Sequence, residues 1–179
     1  NAADLPFFMG LLEHVAGRGV SCPKPVARRD RKLFGKLAEK QAALVSFLHG
    51  KSRSIIRNPH AASVGEVLGK LHRAAADFAA RRDNALSFAG WQKLYEKVAG
   101  KLDTIQPGLE DLVREELTFA AQHFPAAGSL PSGIIHADLF PDNVFFEGDD
   151  VSGIIDFYFA CNDALAYDVA ITLNAWCFE

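Results

Sequence analysis

Nothing in this sequence frames a disulfide-stapled or zinc-bound scaffold. The 179 residues hold three cysteines, Cys22, Cys161 and Cys177. An odd number without C-x-x-C spacing reads as free, buried thiols. No basic excess marks a nucleic-acid partner, because 19 Lys plus Arg face 22 Asp plus Glu for a net charge of −3. No acidic block forms a tail. No apolar run reaches the roughly 18 residues that a membrane span needs. No charged-then-apolar leader opens the chain, so a cytoplasmic protein is expected. Repeats and low-complexity segments are missing too. What is present is 49% hydrophobic and 23% charged, which excludes a disordered or fibrous chain. The length suits about one domain with a sizeable core. Yet the chain opens at Asn1 without methionine and stops at Glu179 straight after an apolar run. Both ends read as cut.

Patterning predicts a helix over 4–17, capped by Asp4, with Pro6 in the first turn and Gly17 and Gly19 ending it. Three short runs follow, Val26–Arg29, Lys32–Leu37 and Ala43–Leu48, which read as an antiparallel meander. The segment AALVSFL is the most apolar and is expected to be the most buried strand. Lys51, Arg53 and Arg57 form a polar loop, either a solvated face or a weak anion contact. Ser63 and Glu66 match a capping box. Behind them Val64, Val67, Leu68, Leu71, Ala75 and Phe78 make one apolar stripe at helical spacing. Two more amphipathic helices are expected over 88–102 and 108–124, with Pro107 in the first turn of the second. Short strands should follow at Ile134-Ile135, Val144–Glu147 and Ser152–Ile155, the last two joined by the turn Gly148-Asp149-Asp150. A final helix from Asp163 is apolar almost all round, which predicts a buried helix.

The informative stretch is IIHADLFPDNVFFEGDDVSGIIDF. It matches H-x-D-L-x-x-x-N through His136, Asp138, Leu139 and Asn143, and Asp156-Phe157 closes the next apolar strand. This pairs the catalytic loop and metal loop of the protein-kinase-like signature. On a loop after a strand, Asp138 can reach a substrate hydroxyl while its backbone is held rigid. Asn143 and Asp156 flank a hairpin, so folding brings an amide oxygen and a carboxylate together, and hard oxygen ligands beside nucleotide phosphates suit Mg²⁺. A lone Asp or Asn in a loop is most often a cap or turn residue; the joint spacing favours the kinase-like reading. His136 fits hydrogen-bonded orientation of the loop better than proton transfer, and Asp142 reads as solvated or turn-forming. Tyr158 stands where a protein kinase has glycine, and the short interval from Phe157 to Asp163 leaves no room for an activation segment. The acceptor is therefore expected to be a small molecule with a hydroxyl.

These residues resemble the aminoglycoside-phosphotransferase and choline-kinase group of small-molecule kinases, as does LGKLH at Leu68–His72. Within the group, HADLFPDNV, IDFYFACND, YDVAI, NAWC and the opening LPFFMGLLEH are similar to homoserine kinases of the phosphotransferase-like type. The resemblance covers nearly the whole chain. It implies an α+β, protein-kinase-like two-lobed fold, with 1–48 the remainder of the small antiparallel β lobe and 49–179 the mostly helical large lobe. It implies transfer of the ATP γ-phosphate to L-homoserine in threonine biosynthesis. Asp138 would be the base, with His136 in the same catalytic set, and Asn143 and Asp156 would hold Mg²⁺. Phe47 and Leu48 would lie at the adenine hinge, and Phe145 and Ile155 on the adenine floor, although plain core is an equal reading for Phe47, Leu48 and Phe145. Asp168 would support the catalytic loop. Asn162, Asp163 and Tyr167 are substrate candidates, with helix capping and packing as their other reading. The sequence has no Gly-rich phosphate clamp and no V-A-I-K-like strand, and Glu13 lies on the helix that would pack beside such a lysine. The chain is thus expected to be an excerpt of a kinase, preceded by the clamp and followed by further helices. Rival readings are a kinase of choline, ethanolamine, an aminoglycoside or a sugar, an inactive nucleotide-binding pseudokinase fragment, and a helical scaffold.

Overall fold

Helix α1 (Leu5–Ala16) forms where the apolar residues recur at helical spacing, and Pro6 fits its first turn because no N–H is needed there. It buries Phe7, Phe8, Met9, Leu11, Leu12 and Val15. The computed structural model describes residues 2–126 and 128–178. The two chain ends that read as cut, Asn1 and Glu179, lie outside the described residues. Residues 1–82 with 131–179 form one compact unit, and residues 83–130 form a second.

In the first unit the expected meander reduces to one short hairpin. β1 (Gly35–Leu37) and β2 (Lys40–Ala42) pair antiparallel about Ala38 and Glu39, both at positive φ. Val26–Arg29 is not a strand; its start is tied to the 43–48 run by a bridge between Pro25 and Val45, by Val26 N donating to Leu44 O at 2.8 Å and by Ser46 N donating to Lys24 O at 2.8 Å. Nor is that run the most buried strand. Leu44 and Phe47 are 68% and 83% exposed, because no second layer covers them among the described residues.

Helix α2 (Asn58–Ala74) starts earlier than the Ser63/Glu66 motif implies. The Arg57 N–H donates to His60 Nδ1 at 3.3 Å, the His60 N–H donates back to the Arg57 carbonyl at 2.9 Å, and Pro59 occupies the first turn. Ser63 and Glu66 are therefore interior. The Ser63 hydroxyl accepts the Val151 N–H at 2.9 Å, and Glu66 pairs with Lys70 at 2.8 Å. The expected stripe is real: Val64, Leu68 and Leu71 are buried.

The remaining strands form two antiparallel pairs. β3 (Ser132–Ile135) pairs with β6 (Cys161–Ala164), and β4 (Val144–Glu147) with β5 (Asp150–Ile154). Side chains alternate along β4, so Val144 and Phe146 are buried and Phe145 only half-buried, while Ser152 on β5 is left without a cross-strand partner where the register shifts between Phe145 and Phe146. Asp163 is a β6 residue and not a helix start; the last helix, α5, runs Leu165–Cys177. It is not buried all round either. Asp168, Thr172 and Trp176 face inward, whereas Val169 and Leu173 are 43% and 49% exposed and Cys177 is exposed. Cys22 and Cys161 are free and buried as expected. Burial pushes both thiols up to about 12, which leaves them protonated and unreactive.

The core joins α1, α2 and the β4–β5 hairpin through wholly buried Leu11, Val15, Leu71, Leu139, Val144 and Ile154. No helix is long and apolar enough to cross a membrane among the described residues. The second unit holds α3 (Phe88–Val98) and α4 (Leu109–His123), shorter than patterning implied. The chain leaves α3 through Gly100 at positive φ, and Pro107 precedes the Gly108 cap instead of entering the first turn. The Glu110 carboxylate links the helices by accepting the Tyr95 hydroxyl at 2.7 Å and the Gly100 N–H at 3.0 Å.

Leu71→Ala should destabilise the first unit by about 2–5 kcal/mol in chemical denaturation, through lost transfer energy and a residual cavity. Leu112→Ala, at a 53% exposed position on α4, should stay within about 0.5 kcal/mol.

Candidate active site

β3 runs into a loop that begins at His136, and this loop is held from three sides. The wholly buried Asp168 carboxylate accepts the His136 N–H at 2.8 Å and the Ala137 N–H at 2.9 Å. Trp176 donates its indole N–H to Leu139 O at 2.7 Å. The His136 ring lies against Phe157, with centroids 4.7 Å apart. Its Nε2 donates to the Ile155 carbonyl at 3.0 Å, which fixes the proton on that nitrogen because a carbonyl only accepts. Nδ1 is buried without a partner, and burial pushes the imidazole below its usual range. His136 is therefore a neutral strut between the loop and the exit of β5.

Ala137 adopts φ 63°, a left-handed conformation that costs a non-glycine residue energy. The two Asp168 bonds on either side of that peptide stabilise it. The next residue, Asp138, is thereby half-exposed while its backbone is pinned. The Asn143 amide donates to both Asp138 O, at 2.9 Å, and Asp138 Oδ2, at 3.0 Å. Burial holds the Asp138 carboxyl above its ordinary 3.8, the charges of Asp156 and Asp142 push the same way, and the Asn143 amide bond opposes them.

Asn143 and Asp156 stand at the two feet of the β4–β5 hairpin, joined there by Ile155 N donating to Asn143 O at 2.9 Å. Asp156 is itself left-handed, φ 60°, and its Oδ1 accepts the Tyr158 N–H at 3.4 Å. The Asn143 N–H bonds are spent on Asp138, so the amide presents its oxygen as the available ligand atom. Among the described residues no group of three or more His, Cys, Asp or Glu could hold a metal. Two hard oxygens without a protein cage fit a cation that takes its other ligands from phosphates and water, the usual manner of Mg²⁺.

The structure brings Leu48 and Phe145 onto the same hairpin. A Cβ on Gly153, the cross-strand partner of Phe145, would lie 2.7 Å from Leu48 Cδ1. Ile155 is half-buried between the bonds to Asn143 and His136. Phe47 faces solvent against His49, with ring centroids 5.6 Å apart. Asn162, Asp163 and Tyr167 line up along β6 and the start of α5. The Asn162 side chain accepts the Arg82 N–H at 2.9 Å, and Asp163 Oδ1 accepts the Ala164 N–H at 2.7 Å. Burial, with Asp163 nearby, raises the Tyr167 phenol.

Three supporting residues escape a reading of spacing alone. Arg82 donates to the carbonyls of Phe159 and Ala160, at 3.4 and 3.0 Å, and lies over the Phe8 ring at 5.1 Å, so it holds the segment after Asp156. His72 meets Asp168, and Trp176 meets Leu139. Arg53 and Arg57, read as solvated or anion-contacting, instead bind the hairpin turn through Gly148 O and Asp149.

A family model described as the phosphotransferase enzyme family (APH) matches residues 1–179. The chain belongs to that family. It is 56% identical over 176 residues to a homoserine kinase of Rhizobium rhizogenes, covering 98% of this chain and 54% of that protein. The homoserine kinase of Afipia carboxidovorans is also 56% identical, over 177 residues, 99% of this chain and 54% of that protein. The chain thus spans about half the length of the curated relatives it matches. Among solved structures, it superposes on the amicoumacin kinase hAmiN bound to AMP-PNP and Ca²⁺ with a TM-score of 0.76 at 15% identity, covering 98% of this chain and 54% of that one. The aminoglycoside 2″-phosphotransferase IIIa with GDP and kanamycin gives 0.71 at 20% identity, covering 99% and 63%. The fold is therefore the α+β, protein-kinase-like fold of these phosphotransferases.

The raised Asp138 carboxyl has a stability consequence with a definite sign. A group that binds its proton more tightly when folded makes stability fall as pH rises from 3.8 through the raised value. Asp138→Asn should therefore melt above the parent protein at pH 7, and the difference should vanish below pH 3.8. Thermal denaturation across pH checks this; an equal or lower melting temperature at pH 7 contradicts it.

Proposed function

We propose that the full-length protein transfers the γ-phosphate of ATP to the hydroxyl of L-homoserine. The observation that carries this reading is the 53–56% identity, over 98–99% of the chain, to relatives named homoserine kinase. The geometry of Asp138, Asn143 and Asp156 supports phosphoryl transfer as the reaction class. In this reading residues 1–48 are the remainder of the small lobe and 49–179 belong to the large lobe. The product, O-phosphohomoserine, feeds threonine synthesis, and the enzyme works in the cytoplasm.

Asp138 accepts the proton of the homoserine hydroxyl. Its pinned backbone and its bond from Asn143 aim one carboxylate oxygen while leaving the other for substrate. Asn143 and Asp156 would hold Mg²⁺ through oxygen atoms, and the ion would supply charge neutralisation at the phosphates. His136, neutral and buried, keeps the loop and the exit of β5 in register. Leu48, Phe145 and Ile155 offer an apolar surface to the adenine, with Phe47 at its edge. Asn162, Asp163 and Tyr167 contribute to the substrate side.

Coupled ATPase assays on the full-length protein test the reading. Turnover is expected with homoserine and Mg²⁺. Turnover with choline or an aminoglycoside but not homoserine would refute the substrate assignment, and Mg-ATP binding without turnover of any of these acceptors would favour an inactive nucleotide-binding module. Asp138→Asn should lower kcat by about 10²–10⁴-fold, the usual contribution of a positioned general base, with the fold retained by circular dichroism.

A further inference from the structure

The chain from Ser46 to Lys51 is fixed at its two ends. Ser46 N donates to Lys24 O at 2.8 Å, and Lys51 exchanges N–H and carbonyl bonds with Phe146 at 3.2 and 3.0 Å. Among the described residues, the stretch 47–50 between them makes a single hydrogen bond, from the Ser152 hydroxyl to the His49 carbonyl at 2.8 Å. The register shift in the β4–β5 hairpin is what presents this serine. Phe145 pairs with Gly153 and Phe146 with Val151, so Ser152 opposes no residue of β4. The approach is close. Gly50 stands at φ 107°, and a Cβ there would run into Ser152 Oγ and lie 2.9 Å from Phe146 O. On the other side of His49, Leu48 packs on Gly153.

We propose that Ser152 is a positioning residue for the nucleotide base, acting through the His49 carbonyl to hold the 47–49 backbone beside Leu48 and Phe145. The inference rests on the reading of Phe47 and Leu48 as the adenine hinge. The N–H groups of Phe47, Leu48 and His49 have no partner among the described residues, and all three positions are exposed or half-buried. Such a stretch can offer N–H and carbonyl groups to the edge of a flat heterocycle. Hydrogen bonds are directional, so the offer is worth most where the backbone is held still. A loose stretch must be ordered when the base arrives, and that conformational cost comes off the affinity. A bulge re-aims one side chain without ending the ladder. Here it turns a hydroxyl onto the one carbonyl that pins the stretch.

Titration calorimetry of the full-length protein with Mg-ATP, without an acceptor, tests this. Ser152→Val should raise the Kd for Mg-ATP about 3- to 10-fold, the effect of one hydrogen bond. Ser152→Thr has the same shape but keeps the hydroxyl, and should stay within about twofold of the wild type. In turnover the loss in Ser152→Val should fall on KM for ATP, with kcat and KM for homoserine within about twofold. Should Ser152→Val fail to fold, Ser152→Ala takes its place in each comparison. Equal Mg-ATP affinity in the Val and Thr variants overturns the proposal. So does a loss that falls on kcat or on KM for homoserine as heavily as on KM for ATP. If the wild type binds Mg-ATP but does not phosphorylate homoserine, the substrate assignment alone falls, and calorimetry still decides the role of Ser152. A wild type that binds no Mg-ATP overturns both.

Discussion

The carboxylate of Asp168 accepts two successive backbone N–H groups, those of His136 and Ala137, in a position closed to water. Such a bidentate grip on a peptide is strong because a charged acceptor bonds an N–H more tightly than a neutral one, and low local dielectric strengthens it further. It also answers a steric problem. Ala137 stands in a backbone region that alanine rarely adopts, and only an over-determined surrounding keeps it there. The turn it makes sets the direction of Asp138, the amide of Asn143 then ties that side chain down, and the two feet of the hairpin follow. Asp156 repeats the device with its own left-handed backbone. Left-handed backbone thus falls directly before Asp138 and at Asp156, with the wholly buried Leu139, Val144 and Ile154 close by in the chain.

What burial does to this site differs from residue to residue. It holds Asp138 more basic than a surface aspartate, which suits a proton acceptor. It makes His136 less basic and strips one ring nitrogen of any partner, which suits a spacer. The same apolar surroundings act on both groups, and the opposite shifts follow from the opposite charge of their ionised forms.

The candidate site could be named from the sequence because its spacing has a physical reason. Asn143 and Asp156 stand at the two feet of one hairpin, and the Asn143 amide bonds Asp138, an arrangement that follows from the order of residues along the chain. Helices α1 and α2 were legible for a similar reason, since one buried face leaves a periodic mark. Burial of the 43–48 run was not, because an apolar strand is buried only if something covers it, and the string of residues does not say what does. The start of α2 was hidden because a histidine reaching back to the Arg57 N–H caps it, in place of the usual serine or aspartate. β6 was taken for a helix start since Asn162 and Asp163 favour neither state; pairing with β3 and the backbone bonds to Arg82 decide it. Arg82, His72 and Trp176 act across long stretches of chain, where no local pattern connects donor to acceptor.

The β4–β5 hairpin is gripped at its turn, the end away from Asn143 and Asp156. Arg53, Arg57 and His60 bind Gly148 and Asp149 at the turn, and Ser63 holds Val151 beside it. From that turn to the feet at Asn143 and Asp156 is roughly 15 Å at the rise of an extended strand. The ribbon is therefore fixed at the surface as well as at its feet, where Asn143 bonds Asp138 and Ile155 bonds His136. Mutational surveys confined to the neighbourhood of Asp138 would pass over Asp149, an exposed turn residue on which Arg57 and His60 converge.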